Sequence, residues 1–269
     1  MYYIEVERGV KILVNDLNPA GKRAIFFIHG WPVNHKMFEY QFNILPEWDY
    51  RCISIDLRGF GDSDKPWAGY SYDRLADDVY SVIRSLNVKE LILVGFSMGG
   101  PIAIRYMARY MGYKVTKLAL LSAAAPSFTK RPGHPYGLPV ENVDALIAQT
   151  YKDRPEMISM FGKMFFASQI TESFSAWFNS LAWTASGNAT IKTAKSLRDE
   201  DTAADLAKIK VPTGIFYGLL DQICPYELAL ELHNGIENSK LFPFNQSGHA
   251  VFYDQLELFN KEFINFLNE

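Results

Sequence analysis

The sequence predicts an α/β fold: a mostly parallel central sheet of about eight strands, flanked by helices and interrupted after the sixth strand by a helical insert. Three observations carry this. Apolar runs such as Ile25-Phe26-Phe27-Ile28 and Leu91-Ile92-Leu93-Val94 are continuous, as in parallel strands buried on both faces. Longer stretches with helical spacing separate them. From about Phe128 to Ala207 no strand pattern is found, and then strands resume.

Taken in order, strands are expected at Tyr2 to Glu7, Val10 to Asn15, Ala24 to His29, Cys52 to Ile55, Leu91 to Val94 and Leu118 to Ser122. The first two pair as a hairpin through Arg8-Gly9. Helices fit Asp73 to Leu86, where Leu75, Val79, Val82, Ile83 and Leu86 share one face, and Met98 to Met111. The insert opens on a Pro/Gly cluster, Arg131-Pro132-Gly133-His134-Pro135, and runs through helical segments near Val140 to Tyr151, Pro155 to Phe166, Glu172 to Trp183 and Ala189 to Arg198. Strands then return at Thr213 to Tyr217 and Lys240 to Phe244, with helices at Tyr226 to Asn234 and Gln255 to Leu267. The expected division is a core of residues 1–127 and 208–269 around an insert of residues 128–207.

Composition narrows the function classes. With 48% hydrophobic and 21% charged residues, the chain of 269 residues can bury a sizeable core, which excludes disorder. A net charge of −3 and the lack of a long basic run leave no footprint for nucleic acid. Cys52 and Cys224 lack disulfide-framework or zinc-site spacing, so no metal is expected and a reducing compartment fits best. Met1 to Asp16 has no apolar signal-peptide core, and no apolar run approaches the roughly 18 residues of a membrane span. A cytoplasmic protein without membrane partners is therefore expected. Aromatic residues make up 14%, ten of them in the insert.

The candidate chemistry begins at Gly95-Phe96-Ser97-Met98-Gly99-Gly100, between a strand and a helix. G-x-S-x-G in that setting is a nucleophile elbow, whose glycines permit a sharp turn that lifts the serine out of the sheet. A serine hydroxyl needs a base, and the base needs an orienting carboxylate. Of five histidines, His249 in Ser247-Gly248-His249-Ala250 lies in a loop after the last strand, where a triad histidine belongs; His29 ends a strand in another motif and His233 sits on a surface helix. Asp221, in the loop after Gly214-Ile215-Phe216-Tyr217, completes the order Ser, Asp, His, although it also reads as a simple helix cap. Asp56 to Ser63 reads as a structured turn with Arg58 paired locally. The backbone N–H groups of Trp31, in His29-Gly30-Trp31-Pro32, and of Met98 would form an oxyanion hole; Pro32 has no N–H and only directs the loop.

In this order and at these spacings, HGWP, DLRGFGDS, GFSMGG, GLLDQ and SGHA resemble the α/β-hydrolase superfamily over essentially the whole chain. The likeness is strongest to the bacterial arylesterases and cofactor-free haloperoxidases (perhydrolases), which share the run Arg58 to Trp67 and Gly95 to Gly100. The resemblance implies that the insert is a cap over the active site, that Phe161 and Phe165 are its phenylalanines, and that Trp31, Phe128, Ile223 and Tyr226 line the pocket. Val143 stands where relatives often carry a further Phe, which implies a wider pocket. Ser97 at the elbow, where epoxide hydrolases and haloalkane dehalogenases carry an aspartate, disfavours those activities. The expected function is a serine carboxylesterase for small or aryl esters, with perhydrolysis as a side activity favoured by Pro32, and with no cofactor. Its partner is a small-molecule ester, and a homo-oligomer is left open. Cleavage of a lactam, a lactone or a carbon–carbon bond, and non-catalytic binding of an apolar ligand, are the alternatives.

Overall fold

The computed structural model describes all 269 residues. Its sheet has eight strands: β1 (Tyr2–Glu7), β2 (Val10–Leu17), β3 (Arg23–Ile28), β4 (Tyr50–Ile55), β5 (Leu91–Phe96), β6 (Val115–Leu121), β7 (Thr213–Gly218) and β8 (Ser239–Phe244). They lie in the order β1-β2-β4-β3-β5-β6-β7-β8, and only β2 runs against the rest. The apolar runs account for the middle of the sheet, where every residue of β5 and β7 is buried. Several strands extend beyond their apolar runs, because a neighbour continues the ladder. Tyr50 and Arg51 pair with Arg23 and Ala24, and the Arg51 guanidinium reaches Asp16 at 2.7 Å. Val115 pairs with Leu91 across a register shift.

Eight helices of nine residues or more accompany the sheet. Helix α1 (Tyr72–Ser85), with Ser71 Oγ accepting from Arg74 N–H at 3.3 Å, buries Leu75, Val79, Val82 and Ile83. Helix α2 (Gly99–Arg109) leaves the elbow and packs beside it. Four helices follow between β6 and β7: α3 (Val140–Lys152), α4 (Arg154–Gly162), α5 (Glu172–Trp183) and α6 (Gly187–Asp199). Asp153, Thr171 and Ser186 cap the last three through side-chain oxygens. The expected helix Pro155 to Phe166 stops at Gly162, and Phe165 sits in the turn beyond it. Helices α7 (Glu227–Gly235) and α8 (Leu256–Asn268) complete the fold.

The inserted helices share one apolar core with the sheet, since Val143, Met157, Ile158 and Phe161 belong to the same buried cluster as β3 and β5. Hydrogen bonds also tie them down: Trp31 Nε1–H donates to Thr190 O at 2.9 Å, Ser186 N–H to Gly59 O at 2.9 Å and Tyr72 N–H to the Glu200 carboxylate at 3.1 Å. No helix is long and apolar enough to cross a membrane.

Candidate active site

β3 and β5 are neighbours, with Ile28 opposite Gly95, so the loops carrying Trp31 and Ser97 leave the sheet side by side. Where strand order changes direction, as it does around β3, the carboxyl ends of parallel strands leave a crevice for ligands. Ser97 occupies the left-handed region at φ 51°. The two elbow glycines are there for close approach. A Cβ on Gly95 would lie 2.4 Å from Gly99 O, and one on Gly99 would lie 2.4 Å from Ile28 O. The turn is pinned from both sides, because Ser97 N–H donates to Leu121 O at 2.9 Å and Ser97 O accepts from Gly100 and Ala124 N–H at 2.9 and 3.0 Å. The backbone N–H groups of Trp31 and Met98, both in buried residues, donate to no protein acceptor.

β7 and β8 are also adjacent, and Leu220 N–H donates to Ser247 O at 3.0 Å, which brings the Asp221 and His249 loops together. His249 Nδ1–H donates to Asp221 Oδ2 at 2.8 Å, and both side chains are fully buried. That bond makes Nε2 the lone-pair nitrogen, which is buried and has no hydrogen-bond partner. The ring packs on Phe96 at 4.9 Å and on Phe165 at 5.0 Å. No hydrogen bond joins Ser97 Oγ to His249 Nε2 in this state. Asp221 Oδ1 accepts from the N–H groups of Ile223 and Cys224, both at 2.8 Å, so the capping and histidine-holding readings of Asp221 both apply, one to each oxygen. Cys224 adds a third potential metal-ligating atom within 4.8 Å of the other two. Burial, then the charge of Asp221, pushes its thiol well above the ordinary range.

A slender apolar slot opens over Ser97, lined by Trp31, Phe128, Val143, Leu146, Phe161, Ala194, Leu197 and Ile223. Counted with the solvent at its mouth it spans about 310 Å³ of atom-free space, but it has room for little more than one water molecule. Five of the expected pocket residues (Trp31, Phe128, Val143, Phe161 and Ile223) line it. Phe165 lies against His249 instead, and Tyr226 lies half-buried with its ring toward Tyr217 at 6.4 Å. Leu146, Ala194 and Leu197 join the lining without having been anticipated. Helical spacing could have found them: Leu146 follows Val143 by three on α3, and Leu197 follows Ala194 by three on α6.

Three neighbouring residues differ from expectation or refine it. Arg58 does not pair locally: its guanidinium grips Asp78 on α1 at 2.5 and 2.7 Å and Glu7 on β1 at 2.9 Å. Asp56 holds the turn from within, accepting from His35 N–H and Nδ1 at 2.9 and 2.7 Å and from Asp62 N–H at 2.8 Å. His29 is a fixed strut whose Nε2 accepts from Leu57 N–H at 3.0 Å while Nδ1–H donates to Gly30 O at 2.8 Å. Burial lowers its pKa to about 4, so it stays neutral.

This sheet order, with a serine elbow after β5 and an Asp–His pair on the loops after β7 and β8, defines an α/β hydrolase, and a model of the alpha/beta hydrolase fold matches residues 23–142. The chain belongs to that family and is a hydrolase. It is 50% identical over 267 residues to the AB hydrolase superfamily protein YisY of Bacillus subtilis (strain 168), with 99% of each chain covered. It is 31% identical to the bifunctional esterase/perhydrolase DCH of Acinetobacter calcoaceticus, again over 99% of each. Among solved structures, the esterase EaEST from Exiguobacterium antarcticum matches with a TM-score of 0.96 and 43% identity over 99% of each chain.

Proposed function

We propose that the protein is a serine carboxylesterase acting on small or aryl carboxylic esters. Ser97 Oγ attacks the ester carbonyl as His249 Nε2 takes its proton; Asp221 holds the imidazole and stabilises its cation; the N–H groups of Trp31 and Met98 receive the oxyanion. The alcohol leaves with the proton from His249. Water then attacks the acyl-enzyme, with His249 again as base, and the acid is released. The observation that carries this reading is the buried His249–Asp221 pair whose Nε2 is left without a partner beside a serine elbow. The bond from Ser97 to His249 is expected to form when substrate fills the slot.

Residues 128–207 act as a cap that selects the acyl group, and the slenderness of the slot favours short or flat acyl chains. Relatives named as esterases support the ester bond as the target, and the relative named as an esterase/perhydrolase supports hydrogen peroxide as an alternative to water. The two free buried cysteines fit a cytoplasmic site of action. A p-nitrophenyl ester series from acetate to decanoate tests the reading. Hydrolysis should peak at about two to four acyl carbons, and Ser97→Ala should lower it by at least about 10³-fold. Near wild-type turnover by Ser97→Ala would sink the mechanism.

A further inference from the structure

The loop carrying His249 is held on both flanks by groups that have no part in the chemistry. On one flank, Gly248 N–H donates to Asp254 Oδ2 at 2.7 Å; on the other, Ala250 N–H donates to Phe165 O at 2.8 Å. The next side chain along, Gln255, accepts from Gln246 N–H at 2.9 Å and Ser247 Oγ at 3.1 Å through Oε1. Asp254 also reaches across to the helical insert. Its Oδ2 accepts from Ala167 N–H at 2.9 Å, and its Oδ1 accepts from Ser168 N–H at 3.0 Å and Ser168 Oγ at 2.6 Å. One half-buried carboxylate thus collects four donors, one from the histidine loop and three from the turn after α4.

The packing around this junction is equally close. A Cβ on Gly248 would lie 3.0 Å from Ala167 N and 3.1 Å from Phe165 O, so the histidine loop and the insert touch backbone to backbone. Phe165 meets the His249 ring edge to face at 5.0 Å, and Tyr253 stacks on Phe174 of α5 at 4.2 Å. A shift of the 165–168 turn therefore pulls directly on the residues either side of His249.

We propose that Asp254 is a positioning residue for His249, one that makes the placement of the base depend on the seating of the insert. This rests on the reading of His249 as the base. With the 165–168 turn docked, the carboxylate fixes Gly248, Phe165 fixes Ala250, and the imidazole is held by Asp221 and packed between Phe96 and Phe165. If the turn shifts, the same bonds loosen and the base loses its aim. Asp254→Asn keeps the side chain's shape but replaces one acceptor oxygen with an amide that faces N–H donors. Misalignment of a reacting group by a fraction of an ångström to an ångström lowers rate without touching the acyl slot.

The test uses the full chain and two readouts: phosphorylation of Ser97 by diisopropyl fluorophosphate, and the proton resonance of His249 Nδ1–H, assigned by its loss in His249→Gln. Asp254→Asn, folded as judged by circular dichroism, should react about 10- to 100-fold more slowly and show the Nδ1 resonance broadened by exchange. Its KM for p-nitrophenyl butyrate should stay within about two-fold while kcat falls. Labelling within two-fold of wild type with the resonance intact would overturn the proposal. If Asp254→Asn does not fold, Ser168→Ala, which deletes one donor from the insert, should slow labelling about 3- to 10-fold and broaden the same resonance; no change in either overturns the proposal too. A wild-type protein that labels at Ser97 yet hydrolyses no ester would defeat the esterase reading alone, because both readouts for Asp254 remain measurable.

Discussion

Ser97 shows how a residue is held against its own backbone preference. An L-residue at φ 51° costs about 1–2 kcal/mol relative to glycine, and the three backbone hydrogen bonds to Leu121, Gly100 and Ala124 offset that strain. Both Ser97→Ala and Ser97→Gly should abolish hydrolysis, but they should differ in stability. Ser97→Gly relieves the left-handed penalty, so by urea unfolding it should be more stable than Ser97→Ala by about 1 kcal/mol. Equal stabilities would mean that the turn does not impose its conformation. Ser97, Asp221 and His249 stand out in the sequence because each belongs to a short local pattern in a fixed chain order. Arg58 does not, because its partners Asp78 and Glu7 lie 20 and 51 residues away and only the packing of α1 and β1 brings them near.

Among the elements, α3, α4 and α6 supply five of the eight residues that line the slot beside Ser97. Apolar spacing marks α3 and α6 and side-chain caps mark α4 and α6, while their ends depend on tertiary contacts that spacing does not encode. Helix α4 stops at Gly162, where a Cβ would lie 2.4 Å from Asn179 Oδ1 on α5, and the Phe165 carbonyl is then free to accept from Ala250. The inward face of α3 offers two opposed changes. Val143→Phe adds a ring to a slot with room for little more than one water, so kcat/KM for p-nitrophenyl butyrate should fall at least about 10-fold relative to acetate, with about 1–3 kcal/mol lost to overpacking. Leu146 lines both the slot and an outer depression formed with Asn142, Gln149, Met157 and Met160. Leu146→Ala should join the two and raise the decanoate-to-acetate ratio of kcat/KM about 10-fold or more. An unchanged ratio in both variants would remove the insert from acyl selection.

At the scale of the whole molecule, the parallel sheet is legible from its uninterrupted apolar strands, whereas the exchange of β3 and β4 in spatial order is not, because strands buried on both faces carry no mark of their neighbours. That exchange is what puts His29, at the end of β3, against the loop after β4, and it makes the fold sensitive to acid. His29 is fully buried, and its desolvation, partly offset by the charge of Asp56, lowers its pKa from 6.5 to about 4. Between those values the unfolded chain carries a proton that the folded protein refuses, so stability falls as pH falls through the window, by about 3 kcal/mol when pH 4 is passed. Asp56 acts lower down. Its burial raises the carboxyl pKa, but hydrogen bonds and charge from His35 outweigh that and leave it below the ordinary value, so its contribution persists in mild acid and is lost on further acidification through its folded pKa. Urea unfolding at about pH 7, 5.5 and 4.5 should therefore give midpoints that drop steadily before the Asp56 carboxylate is protonated. His29→Gln, although less stable at neutral pH because it disturbs the bonds to Leu57 and Gly30, should show a clearly shallower drop over the same range. A wild-type midpoint that holds constant from pH 7 to 4.5 would mean that His29 is not the neutral strut that joins β3 to β4.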